Sequence, residues 1–151
     1  EIIRQVSILD EIHTFKTDNA SVLSLTIYTV AIGDRISVEN ALAQYDLLSL
    51  SAKSQLNSEK TLLDNLLAEI EKQESIQLEV TTFNLDYAAI LAKTTITIVS
   101  TDRTMVENAL NSYAILSFEA KSSLITEKIL LDTLLVEIIR QEGIMLKRCY
   151  T

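Results

Sequence analysis

The sequence predicts a mainly α-helical protein, built as a tandem helical-bundle repeat of period 68 with a short extended β-branched segment in each unit. Three observations carry that expectation. VENALAQYDLLSLSAKSQLNSEKTLLDNLL begins at Val38, and VENALNSYAILSFEAKSSLITEKILLDTLL begins at Val106, an offset of 68 residues. The chain has no proline and only two glycines, Gly33 and Gly143. It therefore lacks the punctuation that hairpin-rich folds need, which favours helices joined by Ser/Thr/Asp/Asn turns. Finally, the apolar residues recur at helical spacing within each copy.

The offset holds well beyond the quoted stretch. It pairs Thr14-Phe15 with Thr82-Phe83, Asp34-Arg35 with Asp102-Arg103, and Glu59-Lys60 with Glu127-Lys128, and about half of the positions of the first copy are identical in the second. EIIRQ at Glu1 recurs at Glu137, two periods later. Self-similarity at a fixed period marks a repeated supersecondary unit. Residues 1–13 thus read as the end of a preceding repeat helix, 14–81 as unit 1, 82–149 as unit 2 and 150–151 as a tail. Glu1 is not preceded by a methionine or a signal peptide and falls inside a repeat helix, which predicts a segment of a longer protein.

Within each copy, Asp34 and Asp102 are placed to cap a helix. Val38, Ala41, Leu42, Tyr45 and Leu48, matched by Val106, Ala109, Leu110, Tyr113 and Leu116, then share one face of it. Ser49 and Ser117 offer the next cap, before a short helix carrying Ala52, Lys53 and Leu56 or Ala120, Lys121 and Leu124. Ser58 and Thr126 are read as caps of a third helix, with Glu59 and Glu127 in its first turn, where negative charge suits the helix dipole. Its apolar face is Leu63, Leu66, Leu67 and Ile70, repeated as Leu131, Leu134, Leu135 and Ile138. Leu62 and Leu130 widen that stripe, so this is the expected core helix. From Glu69 to about Leu91 nothing breaks the pattern, and helix is expected to continue from one unit into the next.

Thr94-Thr95-Ile96-Thr97-Ile98-Val99 and Leu25-Thr26-Ile27-Tyr28-Thr29-Val30 are β-branched runs that suit a pleated strand. Two short strands do not stand alone, so they pack on helices, pair with each other or pair with another chain. In the last case Ile27, Val30, Ile96 and Ile98 form an assembly edge and the chain self-associates.

The pattern ENALxxYxxLSxxAKxxLxxEKxxLDxLL, at Glu39–Leu67 and Glu107–Leu135, resembles the three-helix modules found in tandem in large bacterial cell-surface proteins such as adhesins and surface-attached glycosidases. The resemblance covers roughly the latter half of each unit. It implies a spacer or protein-binding module at the cell surface or outside the cell.

Composition narrows the function classes. Hydrophobic residues make up 48% of the 151 residues, enough for a core. The net charge of −8 repels nucleic acid and anionic membranes, and the Lys147-Arg148 pair reads as a solvated end. No apolar run approaches the roughly twenty residues of a membrane span. His13 is the sole histidine, facing Thr81 in the repeat register, and Cys149 is the sole cysteine, so neither a paired imidazole nor a thiolate cluster can form within the chain. Glu69, Glu71, Glu74, Glu137 and Glu142 lack the histidine three residues on that helical di-metal sites use. Asn19-Ala20-Ser21 matches a glycosylation acceptor, a tripeptide common by chance. Tyr45 and Tyr113 lie on the apolar face with hydroxyls that need partners. The reading is a non-catalytic structural or adhesive module with no cofactor. Its alternative is a carrier that holds a lipid or pigment between the repeats.

Overall fold

A computed structural model of the chain describes residues 2–149, with side chains at residues 2 and 5–145. The side chains of Lys147, Arg148 and Cys149 and the tail at 150–151 lie outside the described residues. The elements are α1 (Ile2–Asp18), α2 (Ala20–Leu23), α3 (Arg35–Leu47), α4 (Leu50–Gln55), α5 (Asn57–Asp86), α6 (Ala88–Leu91), α7 (Arg103–Ile115), α8 (Phe118–Ser123) and α9 (Ile125–Cys149). Single 3-10 turns at Ile32–Asp34 and Ser100–Asp102 lead into α3 and α7. The chain is mainly helical, and no strand occurs among the described residues.

It divides into two compact units, the first ending at Glu74 and the second starting at Ser75. That cut and the sequence-based one at 81/82 both fall inside α5, the 30-residue helix that continues without a break as expected, up to Asp86.

In unit 1 the core is Phe15 from α1, Val38, Ala41 and Tyr45 from α3, and Leu63, Leu66 and Ile70 from α5, closed by Val22, Val30 and Leu56. Polar bonds fix how the helices meet. The Tyr45 hydroxyl donates to the Lys53 carbonyl at 3.2 Å, and Gln73 Nε2 donates to the Val30 carbonyl at 3.1 Å. Arg35 at the start of α3 holds Glu39 at 2.8 Å and Glu74 of α5. Lys16 of α1 pairs with Glu59 of α5 at 2.6 Å.

Unit 2 is built from the rest of α5 onward around Phe83, Ile90, Ile98, Val106, Ala109, Leu124, Leu131, Leu134 and Ile138. Tyr113 donates to the Lys121 carbonyl at 3.0 Å, and Gln141 Nε2 donates to the Ile98 carbonyl at 3.1 Å. Arg103 holds Glu107 at 2.7 Å and Glu142 of α9 at 2.6 Å. The tyrosine hydroxyls thus find backbone acceptors and serve packing.

Three local expectations are corrected. The β-branched runs are turns, not strands: Thr29 N and Val30 N both donate to the Thr26 carbonyl, and Thr97 N and Ile98 N to that of Thr94. The physical reason is the threonine hydroxyl. Thr29 Oγ1 accepts from Thr26 N at 2.9 Å and Thr97 Oγ1 from Thr94 N at 2.8 Å, so each side chain closes the turn that its β propensity opposes. Asp34 and Asp102 do not cap α3 and α7 through their side chains; Oδ2 of each accepts from an earlier amide, Ala31 N at 2.9 Å and Val99 N at 3.0 Å. Ser58 and Thr126 lie one residue inside α5 and α9 rather than before them. By contrast, Ser49 and Ser117 cap as expected, accepting from Ala52 N and Ala120 N, each at 3.2 Å.

Candidate functional site

The expected assembly edge is not assembled. Val30 and Ile98 are 5% and 1% exposed, as parts of their cores, while Ile27 and Ile96 stand on the outside of their turns at 43% and 93%. The turn geometry separates the two residues of each pair, and a turn has no free strand edge to offer. His13 is exposed. The acidic residues are engaged in ordinary ways: Glu74 with Arg35, Glu142 with Arg103, Glu137 with Arg140, and Glu69 accepting from Gln73. Among the described residues no group of three or more His, Cys, Asp or Glu could hold a metal ion, and no helix is long and apolar enough to cross a membrane.

What unit 1 does present is an apolar groove between α1 and α3, of about 690 Å³. Phe15 forms its floor with Leu48, and Val6 and Leu47 flank it. Phe15 is buried against Tyr45, whose ring meets it edge-on at 6.1 Å. The groove is open: Leu47 keeps 88% of its surface and Val6 51%. Asp10, Glu11 and Asp18 line it with no cation among the lining residues. Glu11 also fixes the groove wall, because its Oε2 accepts from Ser49 N at 3.0 Å, at the start of α4. That backbone hydrogen bond holds the Glu11 carboxyl below its ordinary range.

Unit 2 has a groove between α5 and α7, lined by Leu78, Phe83, Ile115 and Leu116 with Glu79 and Asp86, and it is smaller at about 290 Å³. Glu79 Oε2 accepts from Ser117 N at 2.8 Å. The difference in size has a residue behind it. Asn19 tucks back onto the Phe15 carbonyl at 2.9 Å and Gln44 Oε1 at 2.7 Å. Tyr87, 68 residues later, lines the unit 2 groove with its ring, 5.1 Å from that of Phe83, and bonds through its hydroxyl to Ser112.

These grooves were not visible in the sequence, since Leu47 and Ile115 fall outside the buried stripes and an exposed leucine is unremarkable alone. The available signal was that both copies keep a large apolar residue at this position. Architecture and grooves together define an all-helical protein whose accessible apolar surface lies in open clefts. The chain matches no family model, and neither curated proteins nor solved structures provide a match.

Proposed function

We propose that the chain is a non-catalytic tandem helical repeat module, a spacer and protein-binding element of a larger surface protein. The observation that carries this reading is the recurrence of the same groove-forming arrangement 68 residues apart. Seven lining positions of the first groove, Ser7, Glu11, Thr14, Phe15, Asp18, Leu47 and Leu48, have counterparts lining the second, Ser75, Glu79, Thr82, Phe83, Asp86, Ile115 and Leu116. The bonds that set the groove walls recur in the same register. A period of 68 in the packing plan is the reading that explains this, and the ENALxxYxxLS pattern is similar to repeats of bacterial surface proteins.

The grooves suit a protein helix better than an enclosed ligand. Small-molecule pockets cover most of their ligand, whereas a cleft flanked by a leucine at 88% exposure leaves its occupant wet. An amphipathic helix laid into a groove buries one apolar stripe and keeps the rest in water. Carboxylates on the rim favour a partner with lysine or arginine beside that stripe.

Native mass spectrometry of the full chain, alone and with an amphipathic Leu/Lys helical peptide, tests the proposal. The expected spectrum is that of the bare chain, with a peptide complex on addition. An apolar small molecule co-purifying from the natural source and released on denaturation refutes it in favour of a carrier, and absence of a peptide complex refutes the binding role.

A further inference from the structure

We propose that unit 2 carries a binding site for a primary alkylammonium group, formed around the carboxylate of Glu127 by α5, α6 and α9. Glu127 Oε2 is buried and has no hydrogen-bond partner. A carboxylate oxygen in that condition carries its desolvation cost with no donor to offset it, so the site is incomplete as it stands. It faces a cleft of about 400 Å³ that Asn84, Ala88, Leu91, Ala92 and Leu130 line together with Glu127.

Unit 1 shows what completes such a site. At the matching position Glu59 is met by the Lys16 ammonium at 2.6 Å, beside Leu23 and Leu62. That hydrogen bond holds the Glu59 carboxyl below its ordinary range. Sixty-eight residues after Lys16 stands Asn84, which is shorter and uncharged. Unit 2 therefore keeps the carboxylate and the leucine walls and has lost the internal ammonium. An occupant that replaces it needs an alkyl chain for Ala88, Leu91 and Leu130 and an –NH₃⁺ for Glu127. A metal ion fits poorly, because one carboxylate is too few ligands and no group of three ligating side chains occurs among the described residues. The alkylammonium can come from a free amine or from a lysine of a partner chain. The inference rests on this cleft alone, which shares no lining residue with the α5/α7 groove.

The test is an NMR titration of the full chain with butylammonium and, separately, with an Nα-acetyl-lysine amide. Saturable shifts at Asn84, Ala88, Leu91 and Leu130 are expected, with butanol, which lacks the charge, leaving them unmoved. Glu127→Gln weakens binding by about tenfold or more, and Asn84→Lys abolishes it by supplying the ammonium internally. Binding of the lysine derivative assigns the source to a partner's lysine; binding of butylammonium alone assigns it to a free amine. An independent arm needs no ligand: Asn84→Lys raises Tm, and Asn84→Gln does not. The inference is overturned by absent shifts with both amines, by equal shifts with butanol, by undiminished binding in Asn84→Lys, or by no rise in its Tm.

Discussion

Leu66→Ala and Leu47→Ala are the same chemical change in two environments, and the structure predicts opposite outcomes. Leu66 is fully buried in the unit 1 core with Leu63, Ile70 and Tyr45, while Leu47 is 88% exposed. The truncation removes three carbons, which at about 0.8 kcal/mol per buried CH₂ is roughly 2.4 kcal/mol of transfer free energy at Leu66. A residual cavity adds to this, so the expected total is about 2–5 kcal/mol. For a chain of this length each kcal/mol lowers Tm by roughly 2–4 °C. At Leu47 most of the side chain is already in water, and the change is expected to stay within about 0.5 kcal/mol. Urea and thermal unfolding followed by far-UV circular dichroism read both variants. Equal effects, or a larger one at Leu47, refute the assignment of the α3 and α5 faces.

Further expectations follow from single features. Proline at Leu134 lies inside α9 and costs roughly 3 kcal/mol or more; an unchanged melting curve contradicts the helix. Gly143 sits within α9 with open space where a Cβ would go, so Gly143→Ala stabilises by about 0.5–1 kcal/mol in the same assay. Asn19→Tyr places at the unit 1 groove the side chain that narrows the unit 2 groove, and is expected to abolish the Leu/Lys peptide complex in native mass spectrometry. Glu137 is held down to about 2 by hydrogen bonds from Arg140 and then Gln141, and Glu11, Glu59 and Asp102 are also lowered. Depressed carboxyl values contribute stability that is present above the unfolded value of about 4.3 for Glu and lost as pH falls through the folded value. Tm is therefore expected to stay level above about pH 5 and to fall toward pH 2. The gap between wild type and Glu137→Gln closes over that same interval.

The helices were legible because their evidence is local and redundant. Val38, Ala41 and Tyr45 are buried at the spacing that predicts them, and Ser49 caps α4 as its hydroxyl allows. The β-branched runs misled because propensity counts side-chain shape and ignores where a threonine hydroxyl can reach; at Thr29 and Thr97 it reaches its own backbone. Asp34 and Asp102 misled in a similar way, since a carboxylate beside a helix start has amides on both sides and here takes the earlier one. The grooves and the Glu127 cleft depend on contacts between segments distant in sequence. The replacement of Lys16 by Asn84 was present in the repeat alignment, but its meaning required seeing that Lys16 reaches Glu59.

The measurement that tests the central claim most directly is a backbone chemical-shift assignment of the whole chain, comparing each residue with the one 68 positions later. Two copies of one helical packing plan predict matching helical shifts over 35–47 and 103–115, turn shifts at 26–30 and 94–98, and unbroken helical shifts through 57–86. Extended shifts in either β-branched run, or copies whose shifts diverge along their length, contradict it.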